Sequence, residues 1–180
     1  MNKINKNNGF SLIEIVLVTG LIALFSLGVY IAYTRVNETS MAANEARSMR
    51  GIIGATRSLI GGSNLVPVLD APLLAQARII YNEQLSGTNY ISSLGKIVTF
   101  APVFTSGTSH IRVSYNDMDE TYCAKLAIAF KNDVDLITVN GAVVYNSMPL
   151  TTSVPLDISN LATACAAGGP SFVQSFNFKR

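Results

Sequence analysis

One histidine, no tryptophan and two cysteines leave this 180-residue chain few of the side chains that catalysis and metal binding use. His110 opens a strand-like run with no second His or Cys nearby, and it reads as a plain strand-edge residue. Cys123 and Cys165 stand far apart, in no CxxC and at no spacing typical of a metal site. Asp117, Asp119 and Glu120 cluster without an EF-hand pattern, and capping of the following helix accounts for Asp119. No serine or threonine sits in a recognisable nucleophile motif. Gly168-Gly169-Pro170 lacks the strand–glycine–helix setting that phosphate binding needs. Charge is scarce as well: 13% of residues are charged, the formal net charge is +2, and no basic cluster exists to hold nucleic acid. Enzymatic activity, a cofactor, a metal and a nucleic-acid partner therefore have no support.

What the chain has instead is apolar surface, 49% hydrophobic residues with a strong local excess. Residues 15–33 (IVLVTGLIALFSLGVYIAY) form 19 consecutive uncharged positions. A helix of that length, at about 1.5 Å per residue, crosses a bilayer core of roughly 30 Å. Lys3 and Lys6 precede it, as in a secretory signal. The run is longer than a signal's apolar region, however, and Val29-Tyr30-Ile31-Ala32-Tyr33 offers no small-x-small cleavage site. An uncleaved anchor fits better, with the two lysines on the cytoplasmic side. The remainder then lies outside the cytoplasm, where Cys123 and Cys165 would pair. Against this background Glu14 is conspicuous, because a carboxylate within a membrane segment costs roughly 2.5–3.5 kcal/mol on insertion scales.

The stretch KNNGFSLIEIVLVTGLIAL resembles the N-terminus of type IV prepilins and pseudopilins: a short basic leader ending in Gly, an apolar residue, then a helix with Glu at the fifth mature position. Here these are Gly9, Phe10 and Glu14. The resemblance implies that a membrane-embedded prepilin peptidase removes residues 1–9 by cutting between Gly9 and Phe10, and methylates the new amine of Phe10. It also implies that Glu14 neutralises the Phe10 amine of an adjoining subunit during polymerisation. The two charges attract far more strongly in an apolar setting than in water, so pairing them sets the docking register. The alternative for Glu14 is a side chain snorkelling to the nearby membrane edge.

The helix is expected to continue beyond the membrane half (10–34) through an amphipathic half (35–62). Ala42, Ala46, Met49, Ile53, Thr56 and Ile60 recur at helical spacing, widened by Ile52 and Leu59, while Asn44, Arg47, Arg50 and Arg57 lie largely off that stripe. Gly61-Gly62 supplies a stop. A helix from Phe10 to about Ile60 is roughly 75 Å long, a length natural for a stem shared with neighbours. Gly28-xxx-Ala32 is compatible with close helix contact, and equally with local weakening of the helix. The apolar half carries no proline, unlike many pilins.

Residues 63–180 read as a globular α+β head with an antiparallel sheet packed on the stem. Asp70-Ala71-Pro72 starts a short helix running to about Tyr81, followed by a turn-rich connection to Gly95. Residues 97–104 and 110–115 read as strands, Asp119 opens a helix carrying Cys123, and Asn140-Gly141 marks a hairpin between 134–139 and 142–145. A last helix, about 158–166, carries Cys165. The closing SFVQSFNF alternates as a strand does, with a plain C-terminal tail as the alternative. TYCAKLAIAF and NLATACAA resemble the cysteine-bearing helices of type IVb pilins, the bundle-forming and toxin-coregulated group, although the nine-residue leader and the Phe at position 10 are closer to type IVa. The function implied is a structural subunit of a type IV pilus serving adhesion or aggregation. Its partners are other pilin subunits, major and minor, the prepilin peptidase and the assembly machinery of the inner membrane. It would wait in the inner membrane with a periplasmic head, then enter an extracellular filament. A minor pilin that primes or tips the pilus, a type II secretion pseudopilin and a membrane-anchored periplasmic protein remain alternatives.

Overall fold

The computed structural model describes residues 11–60, 69–105, 108–148, 152–169 and 172–178. A single helix, α1, runs from Leu12 to Ile60. Its N-terminal part is built from residues that favour helix or tolerate it in an apolar solvent, with no proline to interrupt the ladder. The hydroxyls there are turned inward: Thr19 donates to the Ile15 and Val16 carbonyls at 3.0 Å, and Ser26 to the Ile22 carbonyl at 2.8 Å. Bonding back to the helix's own carbonyls satisfies these two hydroxyls when the surroundings offer no water. The expected stop at Gly61-Gly62 lies outside the described residues.

The chain divides into two units within this helix, residues 1–37 and 38–180. In the second unit the stripe predicted from spacing is buried: Ala42, Ala46, Met49, Ile52, Ile53 and Thr56 face the core. Ile60 is half-buried and Leu59 exposed, so the stripe narrows at the end of the helix. Asp70 caps α2 (Ala71–Gln76), its side chain accepting the Leu73 amide, with a proline in the first turn. This helix ends five residues earlier than expected. Arg78 adopts a left-handed conformation (φ 58°), and the Arg78 and Ile79 amides bond back to the Ala75 and Leu74 carbonyls, closing a Schellman motif.

The turn-rich connection contains two short strands, β1 (Leu85–Ser86) and β2 (Asn89–Ile91), which the sequence did not reveal. Then come β3 (Ile97–Thr105), β4 (Thr108–Met118), α3 (Glu120–Phe130), β5 (Val134–Val139), β6 (Ala142–Asn146), α4 (Ile158–Ala167) and β7 (Phe172–Phe178). Asn140 (φ 49°) and Gly141 (φ 80°) both take the positive φ that a tight hairpin of this hand requires. The strands form one antiparallel sheet in the order β1-β2-β3-β4-β7-β5-β6. The closing segment is therefore a strand, and an interior one, inserted between β4 and β5.

One face of the sheet meets the second half of α1 and α3. Phe130 of α3 packs edge-on against Phe176 and Phe178 of β7, with ring centroids 4.9 and 5.2 Å apart. Tyr115 of β4 meets Phe176 at 5.9 Å. Two ion pairs lace α1 to the region of α3: Lys125 with Glu38 at 2.6 Å and Arg50 with Asp133 at 2.7 Å. Both are partly exposed, so each contributes at most about 1 kcal/mol. Gly168, which caps α4, is required by space. A Cβ there would lie 2.4 Å from Cδ1 of Phe172, at the start of β7.

Candidate assembly site

Helix formation places Glu14 in the first turn of α1, where the Glu14 and Ile15 amides bond to the Ser11 carbonyl. A carboxylate in a first turn interacts favourably with the positive end of the helix dipole. Around it the helix is apolar on every side and buried on none. Leu12 is 81% exposed and Phe25 76%, and the most apolar window of the helix, mean hydropathy 2.5, has no buried residue. A helix apolar all round requires an apolar medium or other helices to cover it. Length and composition make it compatible with membrane anchoring. Glu14 is exposed, and its carboxylate has no hydrogen-bond or ion-pair partner among the described residues. Gly9 and Phe10, the expected cleavage and methylation positions, lie outside those residues.

A second carboxylate on the same helix went unread in the sequence. Glu45 sits three residues after Ala42 and four before Met49, which is the phase of the core stripe, and it is 0% exposed. Its Oε2 accepts from the Ser93 amide at 2.9 Å and from the Ser93 hydroxyl. Its Oε1 accepts from the Tyr115 hydroxyl at 2.8 Å. Three donors from the β2–β3 loop and β4 thus hold a charge that burial would otherwise make costly. The effect on the tyrosines is visible: burial and the Glu45 charge push the Tyr115 phenol well above its usual range, and raise Tyr90 as well. Helical phase was the available signal, but apolar residues alone define a stripe in the ordinary reading, so Glu45 passed unnoticed.

Cys123 on α3 and Cys165 on α4 form a disulfide, their Cα atoms 5.9 Å apart, and both are buried. The Gln174 side chain of β7 donates to the Cys123 carbonyl at 2.9 Å, tying the disulfide-bearing helix to the middle of the sheet. His110 differs from expectation. It is 3% exposed within β4, not at a sheet edge, and its Nε2 lies 3.2 Å from Asp135 of β5. Asp119 caps α3 by accepting the Tyr122 amide and pairs with Lys96 at 3.0 Å, while Asp117 occupies a positive φ beside the β4–β7 bulge. Among the described residues no three His, Cys, Asp or Glu side chains converge as metal ligands would.

An apolar helix continuing into an amphipathic half, packed on an antiparallel sheet beside two disulfide-linked helices, is the architecture of a pilin. The sequence profile of the PilS N-terminal family matches residues 39–175. The chain belongs to that family. The match begins after the apolar half of α1, so it is independent of the FSLIE motif that first suggested a pilin. The fold is similar to that of TcpA, a type IV pilin from Vibrio cholerae El Tor, in its crystal structure. The likeness has a TM-score of 0.51 at 13% sequence identity, covering 78% of this chain and 98% of that one. No curated protein matches the sequence. Family and fold together support a type IVb pilin. This pilin is thus a structural subunit in kind, from a family and fold that are not enzymatic.

Proposed function

We propose that this pilin is matured, anchored and polymerised as a subunit of a type IV pilus. Prepilin peptidase cuts after Gly9 and methylates the Phe10 amine. Residues 10–34 hold the subunit in the inner membrane with residues 63–180 on the periplasmic side. The assembly machinery then moves it into a surface filament that serves adhesion or aggregation. The observation that carries this reading is Glu14, a carboxylate exposed and unpartnered among the described residues, at the start of a helix whose most apolar window has no buried residue. A charge so placed is costly in a membrane and becomes favourable when a cation reaches it. The Phe10 amine of a neighbouring copy is such a cation, and covering the helix with other copies removes its apolar surface from lipid.

The test is Glu14→Ala in the full chain. Intact-mass analysis of membrane-extracted protein is expected to show a methylated start at Phe10 in wild type and variant alike. Sheared surface filaments are expected from wild type only. A mature start beyond residue 25 overturns the maturation step, and normal filaments from the variant overturn the pairing role. Mass spectrometry of the sheared filaments separates a body subunit, which dominates them, from a minor one, present in trace.

A further inference from the structure

The geometry points to a carbohydrate site: the cleft behind α2, lined by Ala75, Arg78, Ile80, Tyr81 and Asn82, binds a single carboxylated sugar ring. The cleft measures about 190 Å³, below the size range of sites that enclose drug-sized ligands and suited to one ring. Its most telling residue is Arg78. The Schellman motif that ends α2 places this position in the left-handed region, φ 58°, where glycine is favoured and a Cβ is strained. An arginine there costs stability, and its guanidinium does not recover that cost, because it makes no hydrogen bond or ion pair among the described residues. Backbone strain of this kind concentrates at functional sites. Beside it Tyr81 is 77% exposed, an aromatic ring presented to solvent and not to the core.

Each side chain matches one part of the proposed ligand. The planar guanidinium takes a carboxylate through two parallel hydrogen bonds. The Tyr81 ring offers an apolar surface to the C–H face of a sugar, and the Asn82 amide supplies both a donor and an acceptor for ring hydroxyls. Among the described residues Arg78 is the only cation lining the cleft, and exposed Glu83 follows directly in the chain, so a single negative charge is favoured over phosphate or a polyanion. A site of this size binds weakly on its own. If the chain polymerises as proposed above, the repeated copies multiply that affinity through effective concentration.

Saturation-transfer NMR on the full chain in detergent micelles tests the site without requiring a filament. The probes are methyl galacturonate glycoside in its free-acid form, neutral methyl galactoside, inorganic phosphate, and a short peptide rich in Asp and Glu. Saturation is expected on the ring protons of the acidic sugar, with at least tenfold weaker transfer to the neutral one. Tyr81→Ala is expected to abolish the signal. Arg78→Gln is expected to remove the preference for the acid. Arg78→Gly is expected to do the same while leaving the melting temperature equal to or above that of wild type, which separates loss of binding from loss of fold. Equal transfer to both sugars, or an Arg78→Gly variant that binds as well as wild type, overturns the proposal. So does efficient competition by phosphate, which would make the cleft a general anion site, or binding of the acidic peptide alone, which would make it a contact for another protein chain. None of these outcomes depends on Glu14 or on filament formation. Loss of filaments in Glu14→Ala with sugar binding intact would leave the cleft assignment standing by itself.

Discussion

The two halves of α1 share one backbone ladder and carry one carboxylate each in opposite surroundings. In the first half the Glu14 carboxylate stands exposed, without a partner among the described residues, amid apolar side chains that are themselves exposed. In the second half Glu45 is fully buried and accepts from Ser93 and Tyr115. The first half leaves its apolar surface and its charge unsatisfied among the described residues, so both are available to something outside them. The second half buries its core stripe and its Glu45 carboxylate against the head and so holds the head to the stem. A helix that serves two surroundings divides its work in this way: intramolecular completion in the half packed on the head, incompleteness in the half proposed to assemble.

The comparison breaks most visibly at Glu14. Replacing it with Ala is expected to reduce surface filaments to background while leaving insertion and cleavage largely intact, since removing an acid eases insertion. The defect corresponds to about 3–5 kcal/mol for a buried partner left without its counter-charge. Quantifying sheared filaments against total processed subunit measures it. Within the head, Cys123→Ser opens a bridge between residues 42 apart. The loss is expected to be about 4 kcal/mol in the loop-entropy account, read as a lower urea midpoint and lower subunit abundance, with cleavage after Gly9 unchanged.

Glu45→Ala sharpens the contrast, because here the carboxylate's loss should damage the fold and not the docking step. It strands the Tyr115 hydroxyl in the core, at about 1–3 kcal/mol for such a buried group, and takes the acceptor from the Ser93 amide, which belongs to an exposed loop residue. Thermal unfolding of the purified chain should show the drop, and leader processing should not. A variant as stable as wild type would mean that the donors find other acceptors.

The smallest expected effect is that of Tyr115→Phe, about 1 kcal/mol at neutral pH for one hydrogen bond. Its distinctive signature lies at high pH. The Tyr115 phenol is held above its usual range in the folded head, by burial first and the Glu45 charge second. Its stabilising effect is therefore fully present below the unfolded value of about 10 and declines as pH rises above it. Wild type is expected to lose stability through that alkaline range, and Tyr115→Phe to lose less. Urea midpoints taken across the range decide it, and parallel curves for the two proteins would assign the alkaline loss to other groups.

The sequence by itself determined the linear features: the long helix, its apolar and amphipathic halves, the Asp70 and Asp119 caps, the Asn140-Gly141 hairpin and the α+β class of the head. These follow from periodicity, capping and turn chemistry, which act over a few residues and leave their pattern in the order of side chains. Glu14 was legible for the same reason, as a charge breaking an apolar run. Tertiary structure alone decided where β7 goes, because an alternating segment reads the same at an edge, in the middle of a sheet or in a tail. It decided that His110 lies inside the sheet, since burial depends on what covers a strand and not on the strand's own residues. It also decided that α2 stops early, with Arg78 accepting a backbone conformation that suits glycine. Above all it decided Glu45, whose burial requires a tyrosine 70 positions and a serine 48 positions away to arrive at one point. A buried charge is tolerable only once its partners have converged, and that convergence is a property of the packed head, absent from any short stretch of sequence.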